Sequence, residues 1–129
     1  MTNCTFIKNL SNKQPNPVTS VSYSPDGNYL AVAKDDSTVQ LWNLSQKKTP
    51  EPLQWNTYQG MVTKVQFSPD GKSLATIGGT RVDIRNLSGQ KITQLIGHQG
   101  DVLSLSFSPS SKIIATAGAD YQVCSDRLY

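Results

Sequence analysis

The chain has 129 residues, of which 36% are hydrophobic and 16% charged, and it carries a net charge of +3. That length suits one domain, and no apolar run approaches the ~20 residues of a membrane-spanning helix. The start Met1–Ile7 has neither the basic nor the apolar segment of a secretory signal. The basic residues are scattered rather than clustered, which argues against a nucleic-acid stripe. Neither a membrane, a nucleic acid nor a cofactor is expected as a partner. Eleven Thr, nine Val and seven Ile stand against a single glutamate, Glu51, so strands are favoured over helices. Two cysteines, Cys4 and Cys124, are too few for a disulfide framework or a zinc cluster. They fit a reducing compartment, and a cytoplasmic location is expected.

In chain order, Thr2–Lys8 reads as an outer strand. Val21-Ser-Tyr-Ser-Pro-Asp-Gly-Asn-Tyr-Leu-Ala31 then opens a phrase that returns twice, at Val65–Ala75 and at Leu105–Ala115. The prolines Pro25, Pro69 and Pro109 lie 44 and 40 residues apart. The residues before each proline alternate, which predicts strands. Val21/Tyr23, Val65/Phe67 and Leu103/Leu105/Phe107 are placed on one packed face. Ser20/Ser22, Lys64/Gln66 and Ser104/Ser106 are placed on the other. Pro followed by Asp-Gly is a tight hairpin, with Gly at the positive-φ corner. Returning strands follow at Leu30–Ala33, Leu74–Ile77 and Ile113–Ala117, and their alanines predict close approach of a neighbouring sheet. Third strands are read at Thr38–Trp42 and Arg81–Arg85, and fourth strands at Leu53–Thr57 and Lys91–Ile96. Tyr121–Tyr129 reads as a weak or frayed last strand.

Short antiparallel strands at a period of about 42, with Gly97-His98 late in one unit and Trp42-Asn43 closing another, resemble the WD-repeat β-propeller family. The Ser-Pro-Asp-Gly hairpin resembles a form familiar in bacterial members. The resemblance implies one all-β domain over 1–129, with three four-stranded blades near 1–44, 45–87 and 88–129. Closed propellers typically have about four to eight blades. Three blades therefore close only by oligomerisation or within a longer chain.

The resemblance also implies a set of structural residues: the Gly-His histidine, a Ser/Thr on the second strand, a turn Asp and the Trp. No repeat here holds all four. The first has Asp36 and Trp42, with Gln14 and Val32 in the other two places. The second has only Thr76, with Tyr58 and Arg85 in the His and Trp places. The third has His98, Thr116 and Asp120, with Asp126 where Trp is expected, so His98 should pair with Asp120 without an indole partner. The third hairpin, Pro109-Ser110-Ser111, lacks both Asp and Gly, and a non-Gly residue at its positive-φ corner costs about 1 kcal/mol.

Candidate chemistry is sparse. His98 has no marked nucleophile to activate. Asp35, Asp36 and Asp120 lack the spacing of a calcium loop and read as turn carboxylates, so no metal is expected. Gly78-Gly79 has no following helix to cradle a phosphate and reads as a tight turn. The function expected from the resemblance is a non-catalytic protein-interaction scaffold. Its partner face is formed by loops holding Tyr58, Gln59, Met61, His98, Gln99 and Asp101, with Lys34-Asp35 and Gly79-Thr80 beside them. The alternatives are a structural or vestigial piece of a larger signalling protein, or an enzyme built on a propeller. A homodimer closing a six-bladed ring is expected, with residues 2–8 of one copy pairing with 121–128 of the other.

Overall fold

The computed structural model describes residues 16–45, 51–57 and 60–128. Among them every regular element is a strand: β1 (Val18–Tyr23), β2 (Tyr29–Lys34), β3 (Thr38–Asn43), β4 (Leu53–Asn56), β5 (Lys64–Phe67), β6 (Ser73–Gly78), β7 (Arg81–Asn86), β8 (Lys91–Leu95), β9 (Val102–Phe107), β10 (Ile113–Gly118) and β11 (Val123–Arg127). They form three antiparallel meanders in the orders β1-β2-β3-β4, β5-β6-β7-β8 and β9-β10-β11, which do not close on themselves. The all-β class and the antiparallel blades are as the repeat implied, although the third sheet has three strands among the described residues rather than four. The last strand is firmer than its sequence suggests, since β11 pairs with β10 from Ile113↔Arg127 to Ala117↔Val123.

The hairpins show why each repeat turns where it does. Ser24 Oγ donates to Asp26 Oδ1 at 2.6 Å and accepts from Tyr29 N, while Asn28 N donates to the same carboxylate oxygen. Ser68, Asp70, Lys72 and Ser73 repeat this arrangement. The corner residues Gly27, Gly71 and Ser111 have φ of +76°, +73° and +62°, so Ser111 does occupy the strained corner. Its hydroxyl is buried and accepts from Asp70 N of the preceding blade at 3.0 Å, an interaction that offsets the strain.

Period-two alternation gives each sheet two faces, and the blades stack face to face. Ala31, Ala33, Val39 and Leu41 of the first blade pack against Val65, Phe67 and Leu74 of the second. Ala75, Ile77, Val82 and Ile84 of the second pack against Leu105, Phe107 and Ile114 of the third, together with Val102 and Leu128. Fully burying a Leu or Ile side chain contributes roughly 1.5–3 kcal/mol, so these two seams are large contributors to stability. Ala31, Ala33 and Ala75 have no measurable exposure, as the expected close approach of sheets requires.

Two face assignments need correction. Val21 and Tyr23 are 59% and 55% exposed, because no blade precedes the first one among the described residues. Leu103 does not share a face with Leu105 and Phe107. The register skips from Ala117↔Ser104 to Gly118↔Val102, so a bulge leaves Leu103 unpaired and exposed while Val102 is buried.

Candidate functional site

Short turns connect the end of each second strand to the start of each third, and the loops that lead into the first strands lie beside them. Asp35 N donates to Pro17 O, Val102 N to Gly79 O and Ala119 N to Asp101 O. These bonds tie the turns to the loops and build one rim. Thr19, Thr63, Gly79 and Asp101 line an open groove of about 410 Å³.

The third blade carries the most developed polar cluster on this rim. His98 Nδ1 lies 3.0 Å from both carboxylate oxygens of Asp120, and Nε2 lies 2.8 Å from Thr116 Oγ1. With the ring proton on Nδ1, the ring donates to Asp120 and accepts from the Thr116 hydroxyl. Asp120 also accepts from Gln99 N at 3.0 Å and Gln122 N at 3.2 Å. Burial opposes ionisation of Asp120, but the hydrogen bonds from Gln99, His98 and Gln122 outweigh it and hold the carboxyl below its ordinary value. Gly118 makes room for the cluster, since a Cβ there would overlap His98 Nδ1 and lie 2.5 Å from Asp120 Oδ1. Both ring nitrogens are engaged and the side chain is 5% exposed, so His98 holds the loop at Gln99 through Asp120.

The first blade builds its turn differently. Asp36 accepts from Asn16 Nδ2 at 2.5 Å and from both Thr38 N and Thr38 Oγ1. Burial raises its pKa, and the Thr38 bonds and the Lys34 charge more than reverse that. Buried Lys34 stands in the place of Gly118, and buried Val32 in that of Thr116. Trp42 is buried, and its indole N–H points to Gln40 Oε1 at 3.4 Å. In the second blade Thr76 is buried opposite Asp83. Arg85, in the Trp place, donates to Gly89 O and lies 3.7 Å from fully buried Asp83, with Lys91 at 3.8 Å on the other side. In the third blade Asp126 stands opposite Ile114 as Trp42 stands opposite Leu30. Asp126 borders a cavity of about 60 Å³ among Val82, Leu95, Ile114 and Cys124.

Of the expected partner-face residues, Met61 is 55% exposed, and Gln99 and Asp101 are exposed on the same rim. Tyr58 and Gln59 lie outside the described residues, as do Gln14 and Cys4. Sequence reasoning missed Gly118 and the Asp83–Arg85–Lys91 group. A signal for Gly118 was available, because Lys34, Gly78 and Gly118 align and only the third copy has a histidine to accommodate.

The family model for the WD domain, G-beta repeat, matches residues 4–43 and 89–124, more than half of the chain. The chain belongs to the WD-repeat family. A WD40 repeat protein of Penicillium oxalicum is 29% identical over 92 residues, covering 69% of this chain and 26% of that protein. An uncharacterized WD repeat-containing protein of Synechocystis sp. is 30% identical over 95 residues, covering 71% and 26%. A 66 kDa stress protein of Physarum polycephalum is 23% identical over 108 residues, covering 74% and 18%. The chain therefore spans about a quarter or less of the length of these relatives. WD repeats generally mediate protein–protein interaction and are generally non-catalytic modules.

Proposed function

We propose that this WD-repeat chain is a non-catalytic, cytoplasmic interaction platform whose rim of loops receives a protein partner. The observation that carries this reading is the exposed Met61 side chain on the loop that enters β5. Gly60 O accepts from Ser37 Oγ at 2.5 Å, which fixes the loop that presents Met61. An exposed apolar side chain on a hydrogen-bonded frame offers area without a large ordering cost. Gln99 and Asp101 supply polar contacts, with His98 and Asp120 positioning them from below. Tyr58 and Gln59 belong to the same proposed surface by their place in the sequence.

The test is affinity capture from the native host with the parent chain and with the Met61→Glu/Asp101→Arg double variant. A defined partner enriched by the parent and lost with the variant, at unchanged melting temperature, is the expected result. Equal enrichment by both overturns the assignment of the rim. Turnover of an ester, glycan or phosphate substrate that is abolished by His98→Ala would replace the platform with an enzyme.

Self-association is a second reading, favoured by β11. Its outer edge has no strand partner among the described residues, in a sheet of three strands beside two sheets of four. Residues 2–8 of a second copy could add there as the fourth strand, and two copies would form a six-bladed ring. Loss of the dimer on deleting residues 1–8 is the expected result. A dimer that survives the deletion eliminates strand sharing.

A further inference from the structure

The seam between the first two blades has a polar component that apolar packing alone does not require. Val65 N donates to Ser20 Oγ and Phe67 N to Ser22 Oγ, each at 3.2 Å. Thr19, the bulged residue of β1, donates from its hydroxyl to Val62 O. Serines on one blade's first strand thus satisfy the free backbone edge of the next blade's first strand, while alanines behind them let the sheets approach.

The third blade repeats most of this face rather than that of the second, with Ser125 in the place of Leu41. Ser20 and Ser22 recur as Ser104 and Ser106, Ala31 and Ala33 as Ala115 and Ala117, and Val39 as Val123. The second blade has Lys64, Gln66, Ala75, Ile77 and Val82 at those places. Yet the third blade's copy is uncovered: Val123 is 76% exposed where Val39 has no exposure. The receiving side of the seam also recurs, on β1. Val18, Val21 and Tyr23 match Val62, Val65 and Phe67, and all three are more than half exposed. Even the bulge recurs, with Leu103 in the place of Thr19, 64% exposed where it would meet the counterpart of Val62, which is Val18. Leu30, Val32 and Trp42, farther out on the first blade's open face, are already buried, so only the strip along β1 is available.

We infer that the open face of β9 and β10 docks onto β1 of a second copy of this chain, head to tail, reproducing the Ser20–Val65 and Ser22–Phe67 seam between copies. Ser104 and Ser106 accept from the N–H groups of Val21 and Tyr23, Leu103 packs on Val18, and Val123 covers the seam as Val39 does. Two copies supply six blades, inside the usual range of about four to eight, whereas three copies would supply nine. The inference deepens the self-association reading and is independent of the loop rim.

Sedimentation velocity of the full chain over a concentration series tests it. The expected species has twice the 14.1 kDa of one chain. Tyr23→Asp and Ser106→Arg, both at exposed positions, should each give a monomer with the parent's far-ultraviolet spectrum. A mixture of the two should regain a dimer, since one intact strip then meets one intact serine face. The milder Ser104→Ala/Ser106→Ala variant should weaken the dimer by roughly tenfold or more, and it keeps the test informative if the charged variants do not fold. A monomeric parent at every concentration, or a dimer indifferent to all these substitutions, overturns the inference. Dissociation on deleting residues 1–8, with the face variants still dimeric, assigns the association to strand sharing instead. Met61→Glu should leave the mass unchanged, so failure of the loop-rim reading is read separately.

Discussion

The first and third blades solve one problem with different chemistry. Each must hold a turn Asp against the loop that enters its first strand. In the third blade Asp120 is gripped by an imidazole and two backbone N–H groups, with Gly118 cleared to make space. In the first, Asp36 is held by Asn16 and Thr38, and Lys34 fills the ground that Gly118 leaves open. The lesson is that two blades hold a turn carboxylate through different partners, while the second blade has Thr80 in that place.

The comparison can be broken first at the seam. Phe107→Asp places an unpaired charge in the contact between the second and third blades and should cost several kcal/mol. No cooperative urea transition is expected for that variant. A melting temperature within a degree or two of the parent would undo the assignment of faces.

His98→Ala removes the imidazole from Thr116 and Asp120, leaving Asp120 only its backbone donors, and should cost about 2 kcal/mol in urea denaturation. Asp36→Ala, in the looser first-blade turn, should cost only about 1 kcal/mol. Equal losses would mean that the two turns are energetically alike. Gly118→Ala should cost about 1–3 kcal/mol by forcing His98 and Asp120 apart, and most of that loss should vanish in a His98→Ala background.

Acid sharpens the same contrast. Asp120 has a lowered pKa in the folded state, so its contribution is fully present above the ordinary value of 3.8 and is lost as pH falls toward the depressed one. Asp26, Asp36 and Asp70 are lowered too, so stability should be flat near neutrality and fall steeply below about pH 4. Asp120→Asn should make that acid slope shallower, as measured by urea midpoints against pH.

The smallest effect is expected at the third hairpin. Ser111→Gly removes a left-handed strain of about 1 kcal/mol and also removes the hydroxyl that accepts from Asp70 N, worth about as much. A change within about 0.5 kcal/mol is expected by thermal melting. Gly27→Ser has no such partner waiting, since nothing lies near its Cβ position, and should lose the full strain.

Most strand positions, the hairpin corners and the repeat period were determined by the sequence alone, because they depend on alternation and turn chemistry within about ten residues. Ser24-Pro-Asp-Gly27 bends wherever it occurs, and the His98–Asp120 pairing follows once the repeats are aligned. Tertiary structure decided what each face meets. Val21/Tyr23 and Val65/Phe67 carry the same pattern, yet one pair is open and the other closed, because among the described residues the second blade has a neighbour on that side and the first has none. The serine bridges to Val65 and Phe67 and the hydroxyl of Ser111 against Asp70 are likewise set between blades. Their partners lie about 40 residues away along the chain, beyond the reach of any local preference.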